Sequence, residues 1–488
     1  MMKDALNLSH ENVGKLFRQY FFPTLLGMLG MSAVTAVDGI FVGHSVGSDG
    51  IAAINILVPV LMLATGIGLM VGVGCSVVAS IHLSRGRLKT ARLNVTQALL
   101  FVTVVIAVVI AAMVAFPGPA ARVLGASDHL LPLVGEYLLW NVPSWIFLMW
   151  TAVALFIIRL DGAPKLAMTC SLVAAGLNVI LDWLFMFPLG WGLMGAAFAT
   201  SISTVAGGTI AMFYLTFRAR TLRLVRPKAS RKSLRLTLRN LGYQCRIGSS
   251  ALLGEATMAV LMFMGNRVFM RYLGDDGVGA FGIVCYYTPF IFMVGNAIAK
   301  SAQPIISYNF GAGVGRRTRE TEKIALLTAL ACGLTTTAVF SLWPDSLVGL
   351  FVAPNSPAAG MAIAGFPYFA TGFIAFLFNL TAVGYFQSVE RIRAATVFAL
   401  LRGFLLLVPS FLALPAWWGT RGIWLAMPVA ESLTMLLIVG FYFVVRHRER
   451  NRGGDSRTPP AAYCEIQINS VFSPSILRAR NRCRNAET

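Results

Sequence analysis

The sequence predicts an all-α integral membrane protein: twelve transmembrane helices in two six-helix lobes related by an internal parallel repeat. Three observations predict this: hydropathy, the placement of positive charge, and self-similarity at a fixed offset. Of 488 residues 57% are hydrophobic and the mean hydropathy is +0.73. Only 12% are charged, about half the share of a soluble domain, roughly 25%. A helix needs about 20 apolar residues to cross hydrocarbon. Runs of that kind occupy 19–41, 51–82, 93–117, 130–158, 166–188 and 192–216 in the first half. In the second they occupy 247–271, 277–310, 322–344, 358–388, 394–416 and 421–445.

The positive charge is ordered. With the N-terminus inside, the even-numbered loops carry Arg85, Arg87, Lys89 and Arg92, then Arg159 and Lys165. Next come a dense group from Arg218 to Arg239, then Arg316, Arg317, Arg319 and Lys323, then Arg391 and Arg393. The odd-numbered loops hold only Arg122, Arg271 and Arg421. This alternation predicts a multi-pass protein with both termini cytoplasmic. It also accounts for the formal net charge of +20 without nucleic acid, which is not an expected partner. The lipid bilayer and small molecules are. Seven scattered cysteines show no metal-like spacing and read as small apolar fillers. No removable signal peptide is evident.

Shifted by 227 residues, the chain overlays itself. Gly47, Asp49, Gly50 and Ala53 fall on Gly274, Asp276, Gly277 and Ala280. Gly27 meets Gly254, Gly68 meets Gly295, Ser80 meets Ser307, Gly86 meets Gly313 and Pro117 meets Pro344. Each half holds an even number of helices, so the halves run parallel about an axis along the membrane normal, with a cleft between them. The expected organisation is an N-terminal lobe (1–216), a basic linker (217–240), a C-terminal lobe (241–445) and a polar tail (446–488) expected to be disordered.

Polar residues inside apolar runs carry the functional argument, because a charge there costs about 2.5–3.5 kcal/mol even on insertion scales. Asp38 lies about 28 Å along the first run at 1.5 Å per residue. Asn178 and Asp182, four apart in GLNVILDWLF, share a helix face. Asp182 lies about 24 Å up its helix and Thr200 about 12 Å down from the outer end of the sixth run. All four fall in the outer half of the first lobe. Two carboxyls, a carboxamide and a hydroxyl at one depth can hold a proton between like charges or a hard cation such as sodium at Asp38 and Asp182. Polar glue between helices is the alternative, and an Asn or Thr alone would serve it. Pro23 favours a kink in the first helix, as hinge or as static bend. In the second lobe Glu255, Lys300, Arg402 and Glu431 are expected to pair into a charge network, structural for Arg402 and Glu431. Lys300 is there expected to stand in for a bound cation beside Glu255.

These residues resemble the multidrug and toxic compound extrusion (MATE) family. Pro23 followed by VDGIFVGH looks like its first helix, and NVILDWLF with GWGLMGAAFAT (190–200) like its fifth and sixth. IIRLDGAPKLAM (157–168) and SAQPIISYNFGAG (301–313) are similar to segments of its bacterial drug-efflux branch. The resemblance covers about residues 14–445. It implies two six-helix lobes exporting amphipathic, often cationic, drugs in exchange for protons or sodium, without a cofactor. It also implies a bacterial plasma-membrane location. It maps a cation site onto Asp38, Asn178, Asp182 and Thr200, and a bending helix onto Pro23. Glu255 sits where other members carry an acid. The tenth run lacks the acid that accompanies it, and Lys300 departs from the pattern; both favour coupling through the first lobe. A monomer is expected. The alternatives are a flippase for a lipid-linked precursor, with Lys300, Arg267 and Arg402 as its cationic contributors, and an intramembrane enzyme. For the enzyme the sequence offers no HExxH, GxSxG or P-loop lysine.

Overall fold

In the computed structural model the described residues are 8–46, 48–124, 128–226, 231–350 and 357–451. Among them the regular structure is entirely helical. Spans 1 to 6 are Val13–Val42, Ile56–Ser84, Leu88–Ala115, Leu131–Leu160, Pro164–Met186 and Gly192–Arg218. Spans 7 to 9 are Arg235–Gly274, Asp276–Gly311 and Gly315–Leu342. Span 10 is a helix pair, Pro357–Ala370 and Gly372–Ser388, bent by 47°. The stretch Ile392–Val444 makes spans 11 and 12, because its helix breaks at Gly419 (φ 57°).

Local chemistry sets the ends. Asn12 caps span 1, its Oδ1 accepting from the amides of Gly14 (2.9 Å) and Lys15 (3.2 Å). Span 4 passes through a 3-10 turn at Val142–Ser144, where Pro143 removes an amide donor. The expected linker 217–240 is shorter than its polarity suggests, because a helix already begins at Arg231. Arg, Lys and Leu are good helix formers, so a basic composition there does not mean a loop. The last helix runs to Asn451. The tail beyond it, expected to be disordered, lies outside the described residues.

The repeat has a backbone signature. Gly86 (φ 71°) and Gly313 (φ 77°) end spans 2 and 8, and Gly192 (φ 54°) and Gly419 (φ 57°) open spans 6 and 12. Both pairs are 227 residues apart. Phe116 and Trp343, which precede Pro117 and Pro344, repeat at the same offset with φ/ψ of −132°/60° and −127°/45°. Gly162 (φ 84°) is matched one residue out of that register by Glu390 (φ 55°), the one non-glycine with positive φ among the described residues. Its carboxylate accepts from the Tyr243 hydroxyl at 2.8 Å, which helps hold a conformation that costs a side chain roughly 1–2 kcal/mol.

The lobes meet where span 2 packs on spans 7 and 8. A Cβ on Gly74 would stand 1.9 Å from the Gln244 carbonyl oxygen, and one on Gly248 1.8 Å from that of Met70. Only glycine allows main chain to touch main chain there. Hydrogen bonds cross the same layer: Gln244 Nε2 to Asn94 Oδ1 (2.9 Å), Gln97 Nε2 to Thr237 Oγ1 (2.7 Å) and Gln303 Nε2 to the Val73 carbonyl (3.2 Å). Arg317 adds a strap, donating to the carbonyls of Leu8 (3.1 Å) and Glu11 (2.7 Å). All these contacts lie toward the end of the bundle that carries the basic loops, called here the basic end.

One residue assigned to those loops is not in one. Arg159 is 5% exposed inside span 4. Two positions on, fully buried Asp161 fixes the start of the linker. It accepts from the amides of Arg220 (2.7 Å), Thr221 (2.8 Å) and Leu222 (2.9 Å), from the Tyr214 hydroxyl (2.8 Å) and from the Thr221 hydroxyl.

Candidate functional site

Spans 1, 5 and 6 assemble the first site. Span 1 packs along span 5, and span 5 along span 6, with small residues at the contacts. A Cβ on Gly27 would touch Met168, and Gly195 lies against Phe185. Asp38 and Asp182 thereby become direct neighbours, and the Asn178 amide reaches the same carboxyl. Asn178 Nδ2 also donates to Thr200 Oγ1 at 3.4 Å. The four residues named from sequence therefore form one cluster. Asp182 is 0% exposed, and neither of its oxygens, nor Asp38 Oδ1, has a well-formed hydrogen bond.

Buried carboxyl oxygens without donors are costly, and two carboxylates facing each other more so. A proton shared by the pair or a cation between them removes both costs. Each of the four side chains can offer an oxygen ligand, which fits a hard ion better than a soft metal. Sequence reasoning missed Tyr137. This buried residue of span 4 lies in the electrostatic neighbourhood of both aspartates. A tyrosine in an apolar helix reads as core packing, and only the fold reveals which helix faces the pair.

The second lobe holds two separate pairs where one network was expected. Arg402 and Glu431 form a buried ion pair, with Nη2 to Oε1 at 2.8 Å and Nε to Oε1 at 3.1 Å. Asn379 Nδ2 donates to Glu431 Oε2 at 2.7 Å and to its carbonyl at 2.8 Å. The Phe376 ring covers the guanidinium at 4.8 Å. Arg402 sits in a π-helical turn, Leu401–Leu405, a local widening that recurs at functional positions. Glu255 and Lys300 instead line a cavity of about 60 Å³ between span 2 and the second lobe. They are electrostatic neighbours without a direct ion pair. Lys300 Nζ lies 5.5 Å from the Phe156 ring centroid, across the lobe boundary.

A polytopic helical bundle with a doubled six-helix plan and an acidic pocket in one half belongs to the class of two-lobe membrane transporters. The MatE family model matches residues 23–184 and again 251–412, and the chain belongs to that family. It is 26% identical over 442 residues to the multidrug export protein MepA of Staphylococcus aureus, covering 89% of this chain and 95% of that one. A solved structure described as MATE in the straight conformation superposes with a TM-score of 0.83 at 20% identity, covering 92% of this chain and 99% of that one. Another, an outward-facing multidrug resistance MATE family transporter of the MOP superfamily, gives 0.81 at 20% identity, covering 89% and 96%. At that identity the structures speak for the fold.

Proposed function

We propose that this protein is a secondary antiporter of the plasma membrane that exports amphipathic compounds, many of them cationic, in exchange for protons or sodium. The observation that carries this reading is the Asp38–Asp182 pair beside Asn178 and Thr200, with Asp182 fully buried and both its oxygens and Asp38 Oδ1 lacking a well-formed hydrogen bond. An empty pair of this kind is expensive, which favours a bound proton or cation, and the coupled cycle binds and releases it there. The name of the staphylococcal relative, a multidrug export protein, supports drugs as cargo.

In the proposed cycle the basic end faces the cytoplasm, with both termini there. An external cation enters the acidic pair from the cleft. Span 1 contains Pro23, which cannot donate to the helix ladder, and the adjacent Thr24 hydroxyl is buried without a partner. That is a weak point at which the helix can bend once the charge at Asp38 changes. Bending reshapes the first lobe and releases drug outward. Drug entering from inside then drives the cation off. The second lobe supports single-site coupling, because Arg402 already balances Glu431 and Lys300 stands beside Glu255.

The test is gradient-driven transport in liposomes of wild type, Asp38→Asn and Asp182→Asn, with proton and sodium gradients imposed separately. Each amide variant should bind drug yet lose uptake driven by the coupling gradient by about a hundredfold, the scale of deleting a group that a cycle requires. Undiminished gradient-driven transport in both variants sinks the proposal. The gradient that drives wild type identifies the ion.

A further inference from the structure

The basic end is closed by a clasp as well as by packing. Residues 8–12 precede span 1 and form no helix, so the carbonyls of Leu8 and Glu11 are not committed to a helical ladder. Arg317, at the start of span 9 in the opposite lobe, donates from Nη2 to both, at 3.1 and 2.7 Å. Asn309, 1% exposed near the end of span 8, aims it. Its Oδ1 accepts from Arg317 Nε at 3.1 Å, and its Nδ2 donates to the same Leu8 carbonyl at 3.1 Å and to the Ile305 carbonyl at 2.8 Å. The turn moves as one piece with span 1, because Asn12 caps that helix and Glu11 pairs with Lys15 at 3.0 Å. The other cation that crosses here is held more loosely, Arg85 Nε lying 3.4 Å from the Gly311 carbonyl. The repeat does not duplicate the clasp. At the offset of 227, Arg317 and Asn309 meet Thr90 and His82, while Leu8 and Glu11 meet Arg235 and Leu238 inside a helix. The clasp is one-sided, and it falls on the helix that carries Asp38.

We infer that Arg317, aimed by Asn309, is the latch that keeps the basic end shut, and that opening on that side requires it to let go of the turn ahead of span 1. The inference deepens the export reading above and rests on it. Arg317 is a positioning residue, at the opposite end of span 1 from the acidic pair. Its bonds suit release. The acceptors are neutral carbonyls, so letting go breaks no buried ion pair, and the half-buried guanidinium can exchange them for water. Span 1 joins the latch to the ion site. Asp38 lies about 38 Å along the helix from Val13 at 1.5 Å per residue, and Pro23 lies between them. A bend at Pro23 changes how the inner part of span 1 presents the turn to Arg317, so ion occupancy and latch strength are linked through one element.

The experiment reads a distance between the lobes, without drug or gradient. Spin labels replace Lys165 and Arg393, exposed at the basic ends of spans 5 and 11, in cysteine-free full-length protein in lipid nanodiscs. Pulsed resonance then gives the closed and open populations. Arg317→Gln should raise the open-to-closed ratio by about tenfold or more, as expected for loss of a charge-assisted hydrogen bond. Arg317→Lys, which keeps a charged donor, should fall between. Deleting residues 2–11 removes the acceptors and should shift the ratio by as much. The deletion combined with Arg317→Gln should shift it no further, because both changes remove one interaction. An unchanged ratio in either single variant overturns the proposal, and so does a combined shift equal to the product of the two. A lower melting temperature with unchanged distances also overturns it, since that is the mark of a role in folding alone. Should Arg317→Gln fail to fold, judged by its melting curve, the deletion decides alone. Full gradient-driven transport by Asp38→Asn and Asp182→Asn would sink the coupling reading and leave these distances standing.

Discussion

At the residue scale, the buried charges sort by whether the chain answers them itself. Glu431 is answered three times, by two nitrogens of Arg402 and by Asn379. Removing one member of such a pair strands the other and costs about 3–5 kcal/mol. Glu431→Gln should therefore lower the melting temperature of the detergent-solubilised protein sharply. Replacing both residues with apolar ones of similar volume should recover most of that loss. Asp38 and Asp182 behave oppositely. Nothing among the described residues satisfies them fully, so their amide variants should match or exceed wild-type melting temperature while losing coupled transport. A melting scan run beside the liposome assay checks both halves of that statement.

At the element scale, helix ends and breaks carry most of the design. Asp161 ties the end of span 4 to the first residues of the linker through five acceptor contacts. Charge-assisted bonds contribute roughly 1.5–3 kcal/mol each at most, and less net when they share an acceptor. Asp161→Ala should speed protease cleavage within 219–226, read on a gel as separation of the halves, with little change in drug binding. Span 1 makes a different prediction. Pro23→Ala restores a ladder hydrogen bond and removes the bend site. It should stabilise the helix by about 3 kcal/mol of proline penalty at most and slow turnover without abolishing cation binding, as measured by stopped-flow transport against equilibrium ion titration.

At the scale of the whole molecule, the two lobes and their pseudo-symmetry were legible before any coordinates. The glycine offset seen in sequence reappears as repeated positive-φ turns at Gly86 and Gly313. The clustering of Asp38, Asn178, Asp182 and Thr200 in the first lobe was legible too, because polar groups in hydrocarbon announce themselves and helical rise gives their depth. What was not legible shares one cause. Tyr137 and Arg159 acquire meaning only from which helix faces which, and periodicity in a uniformly apolar helix does not encode facing. The split of the expected charge network into two pairs, and the early start at Arg231 of the helix that carries span 7, have the same origin in packing. The lobe contact yields one more expectation. Gly248→Leu puts a side chain into main chain at the span 2 boundary. Spin labels at Arg87 and Arg316, introduced as cysteines in a cysteine-free background, should then report a longer distance by pulsed resonance than in the glycine parent.

The contact of Gly74 with Gln244 and of Gly248 with Met70 is made of backbone alone. No side chain can swing aside there, so passage past it demands that whole helices withdraw together. The main-chain contact is backed by the side-chain hydrogen bonds of the same layer, and its closeness is set by two missing methyl groups. A protein carrying bulk at either glycine would be an electrical fault as much as a poor exporter, visible as steady leak current in a planar bilayer.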